Sequence, residues 1–339
     1  MAQKPIPLHR NESYWLLDTP ELRAVGDTDT RTLSTYPDYT ALTERIALLH
    51  GVTQDAITLA PGSDAAIAAI AETCVRHGWR ALVPLPTFYG YERILSRYNV
   101  SMMPVYYERD ARNFSFPEVS TLAAIEEGSV DIVFLCNPSN PLGSLIPDHV
   151  LSGIISAARK KGIRVVIDEA YADFDNPSLI GEVDESVAVV RTFSKGYGLA
   201  GCRVGYCVSD AGFADELAAS LLPWPIAHVS TAAVLRVLEL REAIAARRAL
   251  LIEERERFAQ ALAELPGFHP HPSRANFISV DVPEPVRIAH TLAEKGILVA
   301  RGDSLSFDPH VRAVLSSSLR IAVPSPEDQG RVIEALRGA

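Results

Sequence analysis

The chain has 339 residues, a formal net charge of -10 from 42 acidic and 32 basic side chains, and 47% hydrophobic against 22% charged residues. A chain of this length buries a sizeable core, and an acidic balance without any basic run excludes a general nucleic-acid partner. No apolar run approaches the ~20 residues that a membrane-spanning helix needs, and MAQKPIPLHRNESYW lacks the apolar stretch of a secretory leader, so a cytoplasmic location with no membrane partner is expected.

Residues 1–30 read as an irregular N-terminal arm and small-domain segment, interrupted by Pro5, Pro7 and Pro20. From Tyr39, YTALTERIALLHG has helical spacing and ends at Gly51, a suitable C-cap. Ile57-Thr58-Leu59 reads as a short strand broken at Pro61-Gly62, after which Ser63-Asp64 are placed to cap the helix AAIAAIAETCVRHG. A rhythm follows: strands RALVPL, SMMPVYYE, SVDIVFLC, IRVVIDEA, VAVVRTFS and CRVGYCVS, with helices YERILSRYN and HVLSGIISAARKKG between them. Short continuous apolar runs alternating with amphipathic helices predict an α/β fold with a large, doubly wound, mostly parallel sheet over 31–227. From about His228 to Leu265 the sequence predicts one long helix that opens a smaller C-terminal α+β domain, 228–339, completed by strands ANFISVDV and SSSLRIAV and two helices. Cys74, Cys136, Cys202 and Cys207 show no metal-ligand spacing, so reduced thiols and no metal site are expected.

The chemistry-bearing residues fall at strand ends. Lys195 sits in RTFSKGYGLAGCR, just past the strand VAVVRTF, where open α/β sheets place their ligands. A partly deprotonated amine there forms a Schiff base with a carbonyl compound, and Thr192, Ser194 and Arg203 are donors for a nearby phosphate. The same strip also suits a surface loop with an incidental lysine. Asp168 follows Val165-Val166-Ile167, and a carboxylate after a buried run is costly unless it meets a cation such as a protonated pyridine nitrogen. Tyr171, three residues on, can reach a phenolate oxygen; capping the next helix is the plainer role for Asp168. In CNPSNPLG two Asn-Pro pairs make a tight turn that either aims Asn140 into a cleft or serves as punctuation alone. APGSDAAI places Gly62, Ser63 and Asp64 at a helix start, which suits a phosphate. PTFYGY puts Phe88 at a strand end, where an aromatic ring stacks on a planar cofactor or joins the core. Together these elements supply a phosphate site, a stacking ring, a phenolate partner, a pyridinium partner and an amine, the grip expected for pyridoxal 5′-phosphate.

On these motifs the chain resembles the fold-type I pyridoxal-phosphate enzymes of the aminotransferase class I/II superfamily, and within it the histidinol-phosphate aminotransferase branch, over nearly its full length. TFSKGYGLAG is similar to the family's cofactor-lysine signature, which implies that Lys195, Asp168 and Tyr171 are the catalytic group. The resemblance further implies that Asn140 joins Tyr171 at the cofactor's phenolic oxygen and that Phe88 stacks on the ring where a tyrosine is commoner. It places Ser63, Asp64, Ser194 and Arg203 at the phosphate. Tyr36, in LSTYPD, resembles a tyrosine that reaches the phosphate of the neighbouring subunit, which implies a homodimer with shared active sites.

For the substrate, SSSLRIAVPSPEDQGRVIEAL resembles the C-terminal segment in which Arg320 pairs with a carboxylate or phosphate. Arg331 falls where the branch has a second phosphate-binding arginine, although a solvated surface arginine explains it equally. HRNESYW resembles an Asn-Glu motif that puts Asn11 and Tyr14 near the substrate entrance. The chain departs from the pattern in APGSDAA, which lacks a glycine-asparagine-glycine start and has Ala65 in place of an acid, and in Ser13, which displaces the tyrosine by one position. The implied reaction moves an amino group from an amino acid or amino phosphate, histidinol phosphate first, to a 2-oxo acid such as 2-oxoglutarate. Decarboxylation of the threonine-phosphate decarboxylase type shares these motifs, as do aminotransferases and oxidases of secondary metabolism. A binding protein that had lost catalysis is expected to lack Lys195, Asp168 or Arg320, and a nucleotide-binding Rossmann enzyme needs a glycine fingerprint that APGSDAAI does not supply.

Overall fold

The computed structural model describes residues 5–27, 29–110, 113–174 and 176–339; residues 1–4 of the expected N-terminal arm lie outside the described residues. The large sheet has seven strands: β1 (Ile57–Ala60), β2 (Ala81–Leu85), β3 (Met102–Tyr106), β4 (Ile132–Cys136), β5 (Arg164–Asp168), β6 (Val187–Thr192) and β7 (Gly205–Val208). Their order across the sheet is β1-β7-β6-β5-β4-β2-β3. The pairs from β6 to β3 are parallel, whereas β7 is antiparallel to both of its neighbours. Two reversals cancel, so β1 points the same way as the parallel strands and ends at the same edge.

The apolar runs are continuous because both faces of the sheet are covered. Along β4, β5 and β6, Val133, Leu135, Val165, Ile167, Val187 and Val189 face one core. Ile132, Phe134, Val166, Ala188 and Val190 face the other. Helix α1 (Ser63–His77) packs Ile67, Ile70 and Cys74 on the second face, near α2 (Tyr89–Arg97); α3 (Asp148–Lys161) packs Leu151, Ile154 and Ala158 on the first. Ser63 and Asp64 are the first residues of α1 rather than its caps, because the residue before the helix is Gly62 at φ 87°, a backbone setting that favours glycine.

The predicted helix from His228 to Leu265 is divided at Leu240 (φ −94°, ψ 26°) into α4 (His228–Glu239) and α5 (Arg241–Ala263). Each part serves a different surface. α4 buries Val234, Val237 and Leu238 in the core of the large sheet, whereas α5 starts in that core with Leu251 and carries Phe258 and Leu262 into a third. That third core lies under a four-stranded sheet of β8 (His269–Pro270), β9 (Phe277–Asp281), β10 (Ala300–Arg301) and β11 (Ser318–Ala322), in the order β8-β9-β11-β10. Helices α6 (Pro285–Glu294) and α8 (Pro326–Arg337) cover it, and the short α7 (Pro309–Val314) instead sends Val311 into the large-sheet core. Two further helices, Glu118–Glu126 and Ala211–Ala219, fall in segments where the sequence reading placed no element.

The N-terminal arm is less irregular than its prolines imply. Ile6–Pro7 pairs in parallel with Ile297–Leu298, the Leu8 amide donates to the Leu298 carbonyl, and the Leu8 carbonyl accepts from the Ala322 amide. Trp15 Nε1 donates to the Val323 carbonyl at 3.2 Å, so the arm is fastened to the smaller sheet by residues far away in sequence.

A buried carboxylate fixes the other side of the entrance. Glu92 of α2, only 6% exposed, accepts from Ser306 Oγ (2.7 Å) and from the amides of Phe307 (2.8 Å) and Asp308 (2.9 Å). Glu92→Ala leaves the Ser306 hydroxyl and the Phe307 amide without their acceptor, the Asp308 amide keeping Ser306 Oγ, and is expected to lower stability by about 2 kcal/mol, read as a fall in the urea midpoint with an unchanged m-value. Retention of the wild-type midpoint would remove Glu92 from the account of how this loop is held.

Candidate active site

The ends of β1, β2, β4, β5 and β6 open into one cleft of about 950 Å³. It is lined by Ser63, Asp64, Phe88, Asn140, Asp168, Tyr171, Thr192, Ser194, Lys195, Arg203 and Arg320, and by His9 to Glu12 of the arm. At its centre Lys195 Nζ donates to the carbonyls of Arg10 and Asn11, at 3.1 Å each. Desolvation, reinforced by the positive charge of Arg320, holds its pKa down at about 8. The amine is therefore substantially neutral under conditions where an ordinary lysine is fully charged.

Asp168, 3% exposed, is the last residue of β5. Its Oδ1 accepts from the Ala170 amide at 3.0 Å and its Oδ2 from Tyr91 Oη at 2.9 Å. Burial pushes its pKa up to about 6 despite both bonds. The Tyr171 hydroxyl accepts from Asn11 Nδ2 (3.1 Å) and from Asn140 Nδ2 (3.3 Å). Asn140 Oδ1 in turn accepts from Arg320 Nη1 at 2.7 Å, and Arg320 Nη2 donates to the His9 carbonyl at 2.7 Å. Arg320 Nε is buried without a partner, which leaves a donor for an anion.

The opposite end of the cleft is built for phosphate. Arg203 donates from Nη1 to Ser194 Oγ and from Nη2 to Asp64 Oδ2, both at 3.3 Å, and Thr192 Oγ1 donates to Ser194 Oγ at 3.0 Å. First-turn amides of α1 lack intrahelical acceptors, so the helix end adds donors and a positive dipole. A Cβ at Gly62 would meet Arg203 Nη2 at 2.5 Å, and one at Gly205 would meet the Ser63 amide nitrogen at 2.5 Å. The cradle thus exists only with glycine at both positions. A Cβ at Gly90 would likewise strike the Phe88 ring at 2.2 Å, so that glycine keeps the ring beside the cleft. A phosphate cradle, an adjacent ring, a buried carboxylate and an amine with a depressed pKa in one cleft fit a flat, phosphorylated pyridine aldehyde.

Not every residue singled out in the sequence reaches the cleft. Tyr14 Oη donates to Asp328 Oδ2 at 2.6 Å and accepts from the Ser325 amide, which ties it to the start of α8. Arg331 donates from Nη2 to the Lys295 carbonyl at 2.8 Å, so its guanidinium serves the end of α6 and lies outside the cleft lining. Tyr36 is 77% exposed, stacked on Trp224 with ring centroids 4.6 Å apart, and also outside the lining. Asn11, 1% exposed, does line the cleft, with its amide on the Tyr171 hydroxyl. Conversely, Arg301, His290, Tyr89 and Glu12 line the cleft without having been singled out. Arg301 had a usable signal, since it directly follows the apolar run ILVA as Asp168 follows VVI. Among the described residues, no group of three or more His, Cys, Asp or Glu could hold a metal ion, and no helix is long and apolar enough to cross a membrane.

Comparison with known proteins agrees with this geometry. The family model for aminotransferase class I and II matches residues 13–336. The chain is 32% identical over 335 residues to a histidinol-phosphate aminotransferase of Caldanaerobacter subterraneus subsp. tengcongensis, covering 96% of this chain and 91% of that protein. It is 29% identical over 335 residues to another of Ruminiclostridium cellulolyticum, covering 98% and 88%. Among solved structures, its fold is similar to the histidinol-phosphate aminotransferase of Sinorhizobium meliloti in complex with pyridoxal-5′-phosphate (TM-score 0.86, 23% identity, 99% and 90% covered). It is also similar to the L-threonine-O-3-phosphate decarboxylase of Porphyromonas gingivalis (TM-score 0.81, 21% identity, 98% of each). A match across almost the whole length, over a cleft with this lysine at its centre, means that the chain belongs to the aminotransferase class I and II family.

Proposed function

We propose that the protein is a pyridoxal 5′-phosphate-dependent aminotransferase that takes its amino group from an anionic donor, histidinol phosphate first, and passes it to a 2-oxo acid such as 2-oxoglutarate. The observation that carries this reading is Arg320, buried in the same cleft as Lys195 with its Nε unpartnered. A second guanidinium, Arg301, lines the cleft from the smaller domain. Arg10, Arg203, Arg301 and Arg320 line the cleft against Glu12, Asp64 and Asp168, with Asp303 paired to Arg301 at 3.1 Å, a balance that draws anionic substrates inward.

When bound, the cofactor supplies an electron-withdrawing pyridine ring next to the substrate's amine-bearing carbon. The protein's part is to hold and move protons and to orient. Asp168 would hold the ring nitrogen, and Asn140 and Tyr171 the ring's oxygen. Ser63, Asp64, Thr192, Ser194 and Arg203 would hold the phosphate, with Gly62 leaving room, and Phe88 would supply the ring's apolar neighbour. Lys195 Nζ would take the proton from the substrate's amine-bearing carbon and deliver it to the cofactor's aldehyde-derived carbon, a transfer suited to a group with a pKa of about 8 near neutral pH. Arg320 fixes the substrate's anionic group by paired N–H donors.

The protein is read as a homodimer, with Tyr36 serving the neighbouring subunit. Its support is an exposed apolar face of Leu33 and Leu222 beside the stacked Tyr36 and Trp224. A cytoplasmic location belongs to the same reading and is consistent with four free cysteines. The fold likeness to a threonine-phosphate decarboxylase favours one alternative outcome, loss of CO₂ in place of amino transfer.

An amino-donor screen that follows both oxo product and CO₂ tests the reading. Histidinol phosphate, which has no carboxyl group to lose, should give oxo product, threonine phosphate should release no CO₂, and Arg301→Ala should raise KM for histidinol phosphate about tenfold, the effect of losing one charged contact of about 1.4 kcal/mol. CO₂ release, or activity confined to uncharged amino acids, would overturn the assignment. Lys195→Ala should abolish turnover and the visible absorbance of the bound cofactor. In the cofactor-free protein, acylation of Lys195 should rise through a midpoint near pH 8, and Arg320→Met should move that midpoint upward by removing a neighbouring positive charge. A midpoint above pH 10 would mean that the amine is not activated.

A further inference from the structure

Tyr91 has no role in the reading above. It lies on α2 three residues after Phe88, fully buried, its ring edge-on to Phe88 (centroids 6.1 Å) and tilted against Phe134 (5.3 Å). Its hydroxyl ends on Asp168 Oδ2 at 2.9 Å. The titratable groups whose charge bears on that carboxylate are Cys136, its register partner on β4, Asp64 on α1, and Glu169 and Tyr171 on the following turn, none of them cationic, while Lys195 lines the same cleft. The second hydrogen-bond donor to the carboxylate is the Ala170 amide, on the other oxygen. A buried anion in such company depends on the donors it has.

We propose that Tyr91 is a positioning residue: its hydroxyl holds the Asp168 carboxylate charged and in one rotamer, so that the carboxylate's remaining lone pairs face the cleft and the cofactor's ring nitrogen. The proposal rests on the pairing of Asp168 with that nitrogen. Tyr91 itself touches neither substrate nor cofactor in this scheme and acts only through Asp168. A hydroxyl that donates to the charged form opposes the burial that pushes the carboxyl up, so removing it lets the pKa climb further.

Tyr91→Phe deletes the hydroxyl and keeps the ring. In cofactor-free protein labelled with ¹³C-aspartate, the Asp168 carboxyl signal, identified by its absence in Asp168→Asn, should titrate about one pH unit higher in Tyr91→Phe than in wild type. The dissociation constant for pyridoxal 5′-phosphate, followed by quenching of intrinsic fluorescence, should rise about twofold at pH 7 and about eightfold at pH 5.5, and the difference should vanish towards pH 9, where both proteins carry a charged Asp168. In the Asp168→Asn background, Tyr91→Phe should change that constant less than twofold at pH 5.5, because both substitutions remove one coupled pair.

An unmoved carboxyl titration, a loss of affinity that is equal at every pH, or additivity with Asp168→Asn would overturn the proposal. Insoluble Tyr91→Phe would overturn it as well, since it would assign the hydroxyl to folding. Wild-type affinity in Asp168→Asn alone would instead refute the ring-nitrogen pairing, while the carboxyl titration would still report on Tyr91.

Discussion

Strands that hydrogen-bond in parallel all finish at the same edge, and each must leave that edge through a loop before its crossover. In this chain β2, β4, β5 and β6 obey that rule directly, and β1 joins them because the antiparallel β7 lies between it and β6. Phe88, Asn140, Asp168, Lys195 and the start of α1 therefore meet in space although they are scattered through the sequence. The buried, two-faced sheet fixes their spacing more firmly than any loop could.

The second constraint is electrostatic. Lys195 and Arg320 share one cleft, and both have their pKa lowered, chiefly by burial. Arg320 stays charged because a guanidinium is so strongly basic, whereas the same pressure brings the lysine amine into a useful range. The guanidinium meanwhile rests on two neutral oxygens, Asn140 Oδ1 and the His9 carbonyl. Neither competes with an arriving carboxylate or phosphate as an aspartate would. One side chain thus serves both recognition of the anion and activation of the amine.

The large sheet was legible because its strands are buried on both faces and read as unbroken apolar runs such as VAVV and VVI. Cleft residues such as Asp168 were legible for the same reason: it ends an apolar run at the functional edge, whereas Arg191, which ends VAVV, is taken up by Glu169 and Asp173. Contacts made across hundreds of positions were not legible. Nothing in IPLHR announces a ladder with Ile297–Leu298, and the stop at Leu240 reflects two cores that a single helix could not both cover. Glu118–Glu126 and Ala211–Ala219 are short and carry few of the long aliphatic residues that mark an amphipathic face. Tyr91 carries no mark in the sequence that sets it apart from a core aromatic: its ring is buried, and only its hydroxyl oxygen takes part in the site. Arg331 and Tyr14 had the expected identity and spacing, but partners near α8 and α6 hold them elsewhere.

The roof over Lys195 has a consequence for the order in which the molecule is completed. Its carbonyls come from Arg10 and Asn11, and the arm that carries them is fastened by Leu298, Ala322 and Val323. The bond from Arg320 to the His9 carbonyl alone spans 311 positions. During synthesis the large sheet, with Lys195 and Asp168 already at its edge, can assemble while the segment that fastens the arm, from Leu298 to Val323, has not yet left the ribosome. The nascent chain therefore carries a half-built pocket open on one side, and an enclosed site for the cofactor exists only once the end of the smaller sheet has been made and has captured the arm.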